Sequence, residues 1–198
     1  MIIIIIITLF AVVALLSYIV WRKRDVRNRI LTSMEQLAAT MQMQNSRIQK
    51  IPNLILTGKY RTYPIVAECS IARSGSKGVE RWSFSTRLTR EIPCRFYVQG
   101  EASEGKLRKV MGLDLVQSAD AEFDGKVLIF SSRHETAIKI FNPYLRHRFL
   151  WAGFTDFVMD VNGTFATFET NMDIMTNVRY VRHALEVWTE FLNILESV

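Results

Sequence analysis

The pattern of apolar and polar positions along this chain changes character five times. Residues 2–20 are apolar without any period, built of Ile, Val, Leu, Ala and Phe and relieved only by Thr8, Ser17 and Tyr18. At about 1.5 Å per residue, a helix of that length reaches about 29 Å, close to the hydrocarbon thickness of a bilayer. In lipid a lone segment satisfies its own backbone only as a helix, so the isoleucine content does not make this a strand. The pattern predicts a transmembrane helix over residues 1–21. From residue 22 to 51 no Gly or Pro intervenes, the first breaker being Pro52. Ile30, Met34, Leu37, Met41, Ile48 and Ile51 step by fours and threes once Gln44 is admitted to the row, which predicts a basic juxtamembrane helix over 22–51. Such a helix either pairs as a stalk with a partner helix or folds back on its own domain. Its methionines and Gln44 make a soft seam, which favours the second.

Beyond residue 52 the period turns to two. Residues 54–57 and 63–73 read as strands around Gly58, 74–78 as a turn, and 79–90 as an alternating strand with Trp82, Phe84, Thr86 and Leu88 on one face and Arg81, Ser83, Ser85 and Arg87 on the other. Pro93 ends that strand, and 94–99 begins another. Residues 100–105 form a polar loop, and 113–117 and 126–131 are short strands. Helical character returns over 135–151, broken at Asn142-Pro143, where proline opens a second helix. Residues 155–161 and 164–170 alternate about Asn162-Gly163, the signature of a type I′ hairpin. The last change gives a helix over 172–195, with Ile174, Val178, Val181, Leu185, Trp188, Leu192 and Leu195 in four-three spacing and Ala184 and Phe191 widening the face. A stripe that wide covers a sheet. The fold class is therefore α+β: a transmembrane helix, a juxtamembrane helix, and a domain over 52–198 whose mainly antiparallel sheet of about seven strands is covered by helices, the long C-terminal one included.

Charge fixes an expected orientation. Arg22, Lys23, Arg24, Arg27 and Arg29 against Asp25 give a net +4 of the chain's +6, so all the other residues together carry +2. These five are membrane-surface residues, since each basic group gains about 1 kcal/mol near anionic lipid. No basic side chain precedes the apolar run. The positive-inside rule then places the N-terminus outside and the domain in the cytoplasm, with the chain single-pass in the inner (cytoplasmic) membrane. A cleaved signal is excluded by the missing n-region and by Trp21 and the basic cluster where a small-residue site would fall. With no ionisable group in the apolar run, packing there rests on shape. Ala11, Ala14 and Ser17 recur every three residues along one side, where another helix could approach closely.

Candidate chemistry changes this picture little. Asp120, Glu122, Asp124 and Gly125 fall at positions one, three, five and six of a calcium loop, but position twelve is Ser131 instead of the bidentate Glu. His134, His147 and His183 have no second ligand at metal spacing, so no metal is expected. Cys69 and Cys94 read as structural thiols on inward strand positions. No phosphate-binding glycine loop or nucleophile elbow occurs, and no cofactor is expected. Trp82 and Phe84 point away from Arg81 and Arg87, whereas a nucleic-acid surface needs aromatics and cations on one face, so no nucleic acid is expected.

Ala121-Glu-Phe-Asp-Gly125, followed by the apolar strand at 126–131, a helix through Ile140 and Pro143-Tyr-Leu with Leu150, resembles a group of uncharacterised bacterial single-span membrane proteins. The resemblance implies an anchored domain and transfers no catalytic residue. The residues themselves put Phe123 in the core and make Asp124-Gly125 a turn. The expected function is that of a non-enzymatic accessory or structural subunit of a large bacterial membrane complex, of photosynthetic or respiratory type. Its partners would be membrane lipids and other subunits, met through the anchor and through residues 30–51. The alternative is a membrane-tethered enzyme or small-ligand-binding domain.

Overall fold

The computed structural model describes residues 2–50, 54–74, 77–101, 112–153, 156–171 and 174–198, with backbone alone for 2–9, 71–80 and 171–179. The turn expected at 74–78 and the loop expected at 100–105 lie partly outside the described residues. The elements in order are α1 (Ile2–Thr40), β1 (Gln44–Gln49), β2 (Ile55–Tyr60), β3 (Tyr63–Ser74), β4 (Lys77–Gly100), β5 (Asp114–Val116), α2 (Ala121–Asp124), β6 (Val127–Ser131), α3 (His134–Ile140), α4 (Pro143–Ala152), β7 (Phe157–Asn171) and α5 (Ile174–Ser197). The described strands form one seven-stranded antiparallel sheet. The α+β class, the antiparallel sheet and the long C-terminal helix follow the pattern read from the sequence.

The predicted helix to residue 51 is corrected: α1 stops at Thr40, and part of that stretch is β1, paired with β2. The stop is a Schellman motif. The Met43 amide donates to the Ala38 carbonyl and the Gln42 amide to the Ala39 carbonyl, with Gln42 at φ 51°. That left-handed position is usually glycine, and here a glutamine fills it. Register then slips between Gln44 and Arg47, with Asn45 at φ 53°. Gly58 lies beneath this bulge, where an added Cβ would come within 2.9 Å of Met43 Cε and 3.3 Å of the Ser46 Cα.

Two further expectations change in the sheet. The strands expected on either side of Pro93 are one strand, β4, and the hairpin expected at Asn162-Gly163 is one strand, β7. Both departures meet at the same place. Arg87 pairs with Phe165, Ile92 with Gly163 and Phe96 with Val161, so β4 carries extra residues where it passes Gly163. Gly163 has the positive φ of 60° that Asn-Gly promises, but spends it on a bend opposite the bulge. Pro93 is exposed within the bulge, where it breaks no regular ladder. Before the bulge β4 runs between β3 and β7; after it, between β6 and β7.

One face of the sheet is covered by helices. Val181, Ala184, Leu185, Trp188, Phe191, Leu192 and Leu195 of α5 are buried on Trp82, Phe84, Phe96 and Phe168. Phe168 stacks on Trp188 at 6.1 Å between centroids, and Phe191 meets Phe96 edge-on at 6.2 Å. Phe123 is fully buried against Phe141 and Phe149, as its motif predicts. Ile30, Met34 and Leu37 of α1, and Met41 just after its end, belong to this same core, so the second half of α1 folds back on its own domain.

The far end of α5 is tied to the sheet by Glu196, which accepts from the Thr89 amide at 2.6 Å, Thr89 Oγ1 at 2.7 Å and Tyr63 Oη at 2.9 Å. Burial alone would raise the Glu196 carboxyl, but these donors outweigh it and hold it below its ordinary value. Burial, and then Glu196 itself, push the Tyr63 phenol up, so it stays a donor.

Two outcomes follow. Leu37→Ala should lower the unfolding free energy by about 2–5 kcal/mol in urea titrations, whereas a free stalk would leave it within about 0.5 kcal/mol. Because the folded-state Glu196 is depressed, its contribution is complete above the unfolded carboxylate range and is lost as pH falls through the folded value. Glu196→Gln should therefore cost about 1–3 kcal/mol at pH 7, with the gap to wild type closing below about pH 4.

Candidate functional site

Along α1 the environment changes in three steps. From Phe10 to Trp21 every residue is exposed, Phe10 at 74% and Val20 at 65%. Among the described residues nothing covers these apolar side chains, which are exposed all round the helix. Tyr18 and Trp21 lie together at the end of this stretch, ring centroids 6.2 Å apart. Then come Arg22, Lys23, Arg24, Arg27 and Arg29, all exposed, and burial begins at Ile30. Among the described residues no helix is long and apolar enough to cross a membrane, and the side chains of residues 2–9 are outside that description.

At about 100° per residue, Lys23, Arg24 and Arg27 share one side of α1, while Arg22 and Arg29 lie on another. The first side opens on a groove of about 930 Å³. Val26, Ile30, Leu54 and Cys69 give it an apolar lining; Glu68, Ser70, Arg81, Ser83 and Glu169 bring polar groups from β3, β4 and β7. Register sets that polar side: Glu68, Ser83 and Glu169 are neighbours across three strands, and Ser70 lies beside Arg81. Arg81 is paired with Glu169, and Arg27 donates to the Lys50 carbonyl. Lys23 and Arg24 have no ion pair among the described residues. Four cations against two carboxylates leave the lining net positive.

Ala11, Ala14 and Ser17 are exposed on the apolar stretch, and among the described residues nothing packs on them. The groove thus gathers Lys23, Arg24 and Arg27 of the predicted membrane-surface set and leaves Arg22 and Arg29 aside. Glu68, Arg81 and Glu169 are groove residues that local sequence does not announce, because only the register of β3, β4 and β7 brings them together.

The other polar clusters hold structure. Asp120 caps α2 by accepting from the Phe123 amide at 3.2 Å; Asp124 accepts from the Ser118 amide and hydroxyl, and Arg146 Nη1 donates to the Ser118 carbonyl at 2.8 Å. His134 and His147 are exposed, and His183 lies 3.3 Å from Glu186 and edge-on to Trp151. The Cys94 thiol is buried, and burial pushes its pKa up against the opposing pull of Arg133. Cys69 is half-buried in the groove. Trp82 and Phe84 lie in the core while Arg81 and Arg87 are exposed on the opposite face, the parity expected from sequence.

No protein-family model matches this chain, and no curated protein matches it. Among solved structures the fold is similar to the crystal structure of the mycobacterial trehalose monomycolate transport factor A, TtfA, with a TM-score of 0.54 and 6% sequence identity over 82% of this chain and 94% of that one.

Proposed function

We propose that this chain is a non-catalytic accessory subunit of a membrane protein assembly, anchored by one helix with its α+β domain on the cytoplasmic face of the inner membrane. The observation that carries this reading is the layout of α1: an exposed apolar stretch, then an exposed basic collar, then Ile30, Met34 and Leu37 locked into the core, all on one uninterrupted helix. Exposed apolar surface of that extent needs lipid or protein around it. An aromatic pair at its end and a basic collar beyond are of the kind found at a bilayer surface, and their order supports the orientation proposed. With the isoleucines of residues 2–9 included, the apolar run has the length of a span.

The similar fold of a factor in trehalose monomycolate transport supports an accessory role in transport more than in photosynthesis or respiration. A tethered ligand-binding domain has one observation in its favour, the groove beside the collar.

In this reading partners pack on the side of the span carrying Ala11, Ala14 and Ser17. Ala14→Leu with Ser17→Leu should release the protein from large partners during purification in mild detergent, while membrane insertion and the circular dichroism of the domain stay unchanged. Co-purification of the double variant at the wild-type level would reject the packing role. For orientation, a thiol introduced by Gln117→Cys in a background lacking Cys69 and Cys94 should react with an impermeant maleimide only after cell lysis; labelling of intact cells would reverse the assignment.

A further inference from the structure

Building on the anchored reading, we infer that the groove beside α1 binds the headgroup of one anionic glycerophospholipid from the leaflet facing the domain, with Lys23, Arg24 and Arg27 holding its phosphate. Height along the helix is the first argument. Lys23 and Arg24 lie about 5–6 Å beyond Val20 and Arg27 about 10 Å, at 1.5 Å per residue. The interfacial zone of a bilayer adds about 5–7 Å to each side of its hydrocarbon core. The mouth of the groove is therefore at headgroup level when the apolar stretch is in the core.

Chemistry is the second argument. Three cations on one side of the helix supply donors to a phosphate, and none of the three meets a carboxylate partner among the described residues. On the sheet side of the same lining, Ser70, Ser83 and Glu68 offer hydroxyls and a carboxylate, which suit a hydroxyl-bearing headgroup such as glycerol. The volume of about 930 Å³ is that of a small-ligand site. The net positive lining selects an anionic lipid over a zwitterionic one.

A diffuse attraction between a basic collar and a charged membrane would use all five cations alike. The groove separates them, because Arg22 and Arg29 carry the same charge and do not line it. The test is native mass spectrometry of the full chain in mild detergent, titrated with phosphatidylglycerol or phosphatidylcholine. One phosphatidylglycerol per chain should be retained, at least tenfold over phosphatidylcholine. Lys23→Gln with Arg24→Gln and Arg27→Gln should cut that occupancy about tenfold, and Arg22→Gln with Arg29→Gln should leave it within twofold. Ser83→Trp, which fills the groove without changing charge, should also cut it about tenfold; if that variant does not fold, the comparison of helix variants decides alone.

Equal loss in both sets of helix variants, equal retention of the two lipids, or displacement by millimolar inorganic phosphate would overturn the inference. Carbonate extraction of membranes from the same cells separates the two levels of argument. A chain released by carbonate refutes the anchor itself, whereas a chain that stays embedded but retains no phosphatidylglycerol refutes only the lipid site.

Discussion

The arrangement depends on one constraint, that α1 is a single uninterrupted helix with its second half buried in the domain. A helix passes its orientation along its length, so fixing Ile30, Met34 and Leu37 in the core also fixes the direction in which the apolar stretch leaves the domain. A flexible linker after the collar would have left the groove's helix side free to move away from its sheet side. Because burial begins at Ile30, immediately beyond Arg29, the cations that line the groove are held within a turn or two of the packed region.

The core that receives α1 is itself organised by the bend in β4. A strand running from Lys77 to Gly100 without interruption would twist its two ends far apart. The bulges around Ile92 and the bend at Gly163 let β4 serve β3 with its first half and β6 with its second, while β7 follows it throughout. The aromatic side chains on the inner face, Trp82, Phe84, Phe96, Phe157 and Phe168, then form one surface for Trp188 and Phe191 of α5. The Arg81–Glu169 pair on the opposite face exists only because β4 and β7 stay in register up to that end.

Much of this was legible in the periods of the chain, and the misses have identifiable physics. Alternation over 79–90 and four-three spacing in the last helix report burial directly, so Trp82, Phe84, Trp188 and Phe191 fall where the pattern puts them. The stop of α1 was hidden because the left-handed position of its Schellman motif is Gln42, and no glycine or proline marks it. Asn162-Gly163 misled in the opposite sense. Its positive φ is real, but a positive φ is needed equally by a hairpin turn and by a bend in a continuous strand, and only the partner strand tells them apart. The candidate site divides in the same way: its helix side follows from the 3.6-residue period, whereas Glu68, Arg81 and Glu169 come together through register between strands distant in sequence.

On the anchored reading proposed above, the collar has two physical roles set by which side of the helix a residue occupies. Arg22 and Arg29 lie away from the groove, in the position of side chains whose attraction to a surface is screened over a Debye length and insensitive to the identity of the lipid. Lys23, Arg24 and Arg27 look into a concave, partly apolar lining, where an anion is desolvated on more than one side and each donor acts more strongly than in open water. Glu68 and Glu169 temper that field: without them the lining would be twice as positive and would favour charge alone, and with them it favours an anion that also brings hydroxyl donors for the carboxylates to accept. Selectivity in such a groove therefore resides in the sheet side, and strength of attraction in the helix side.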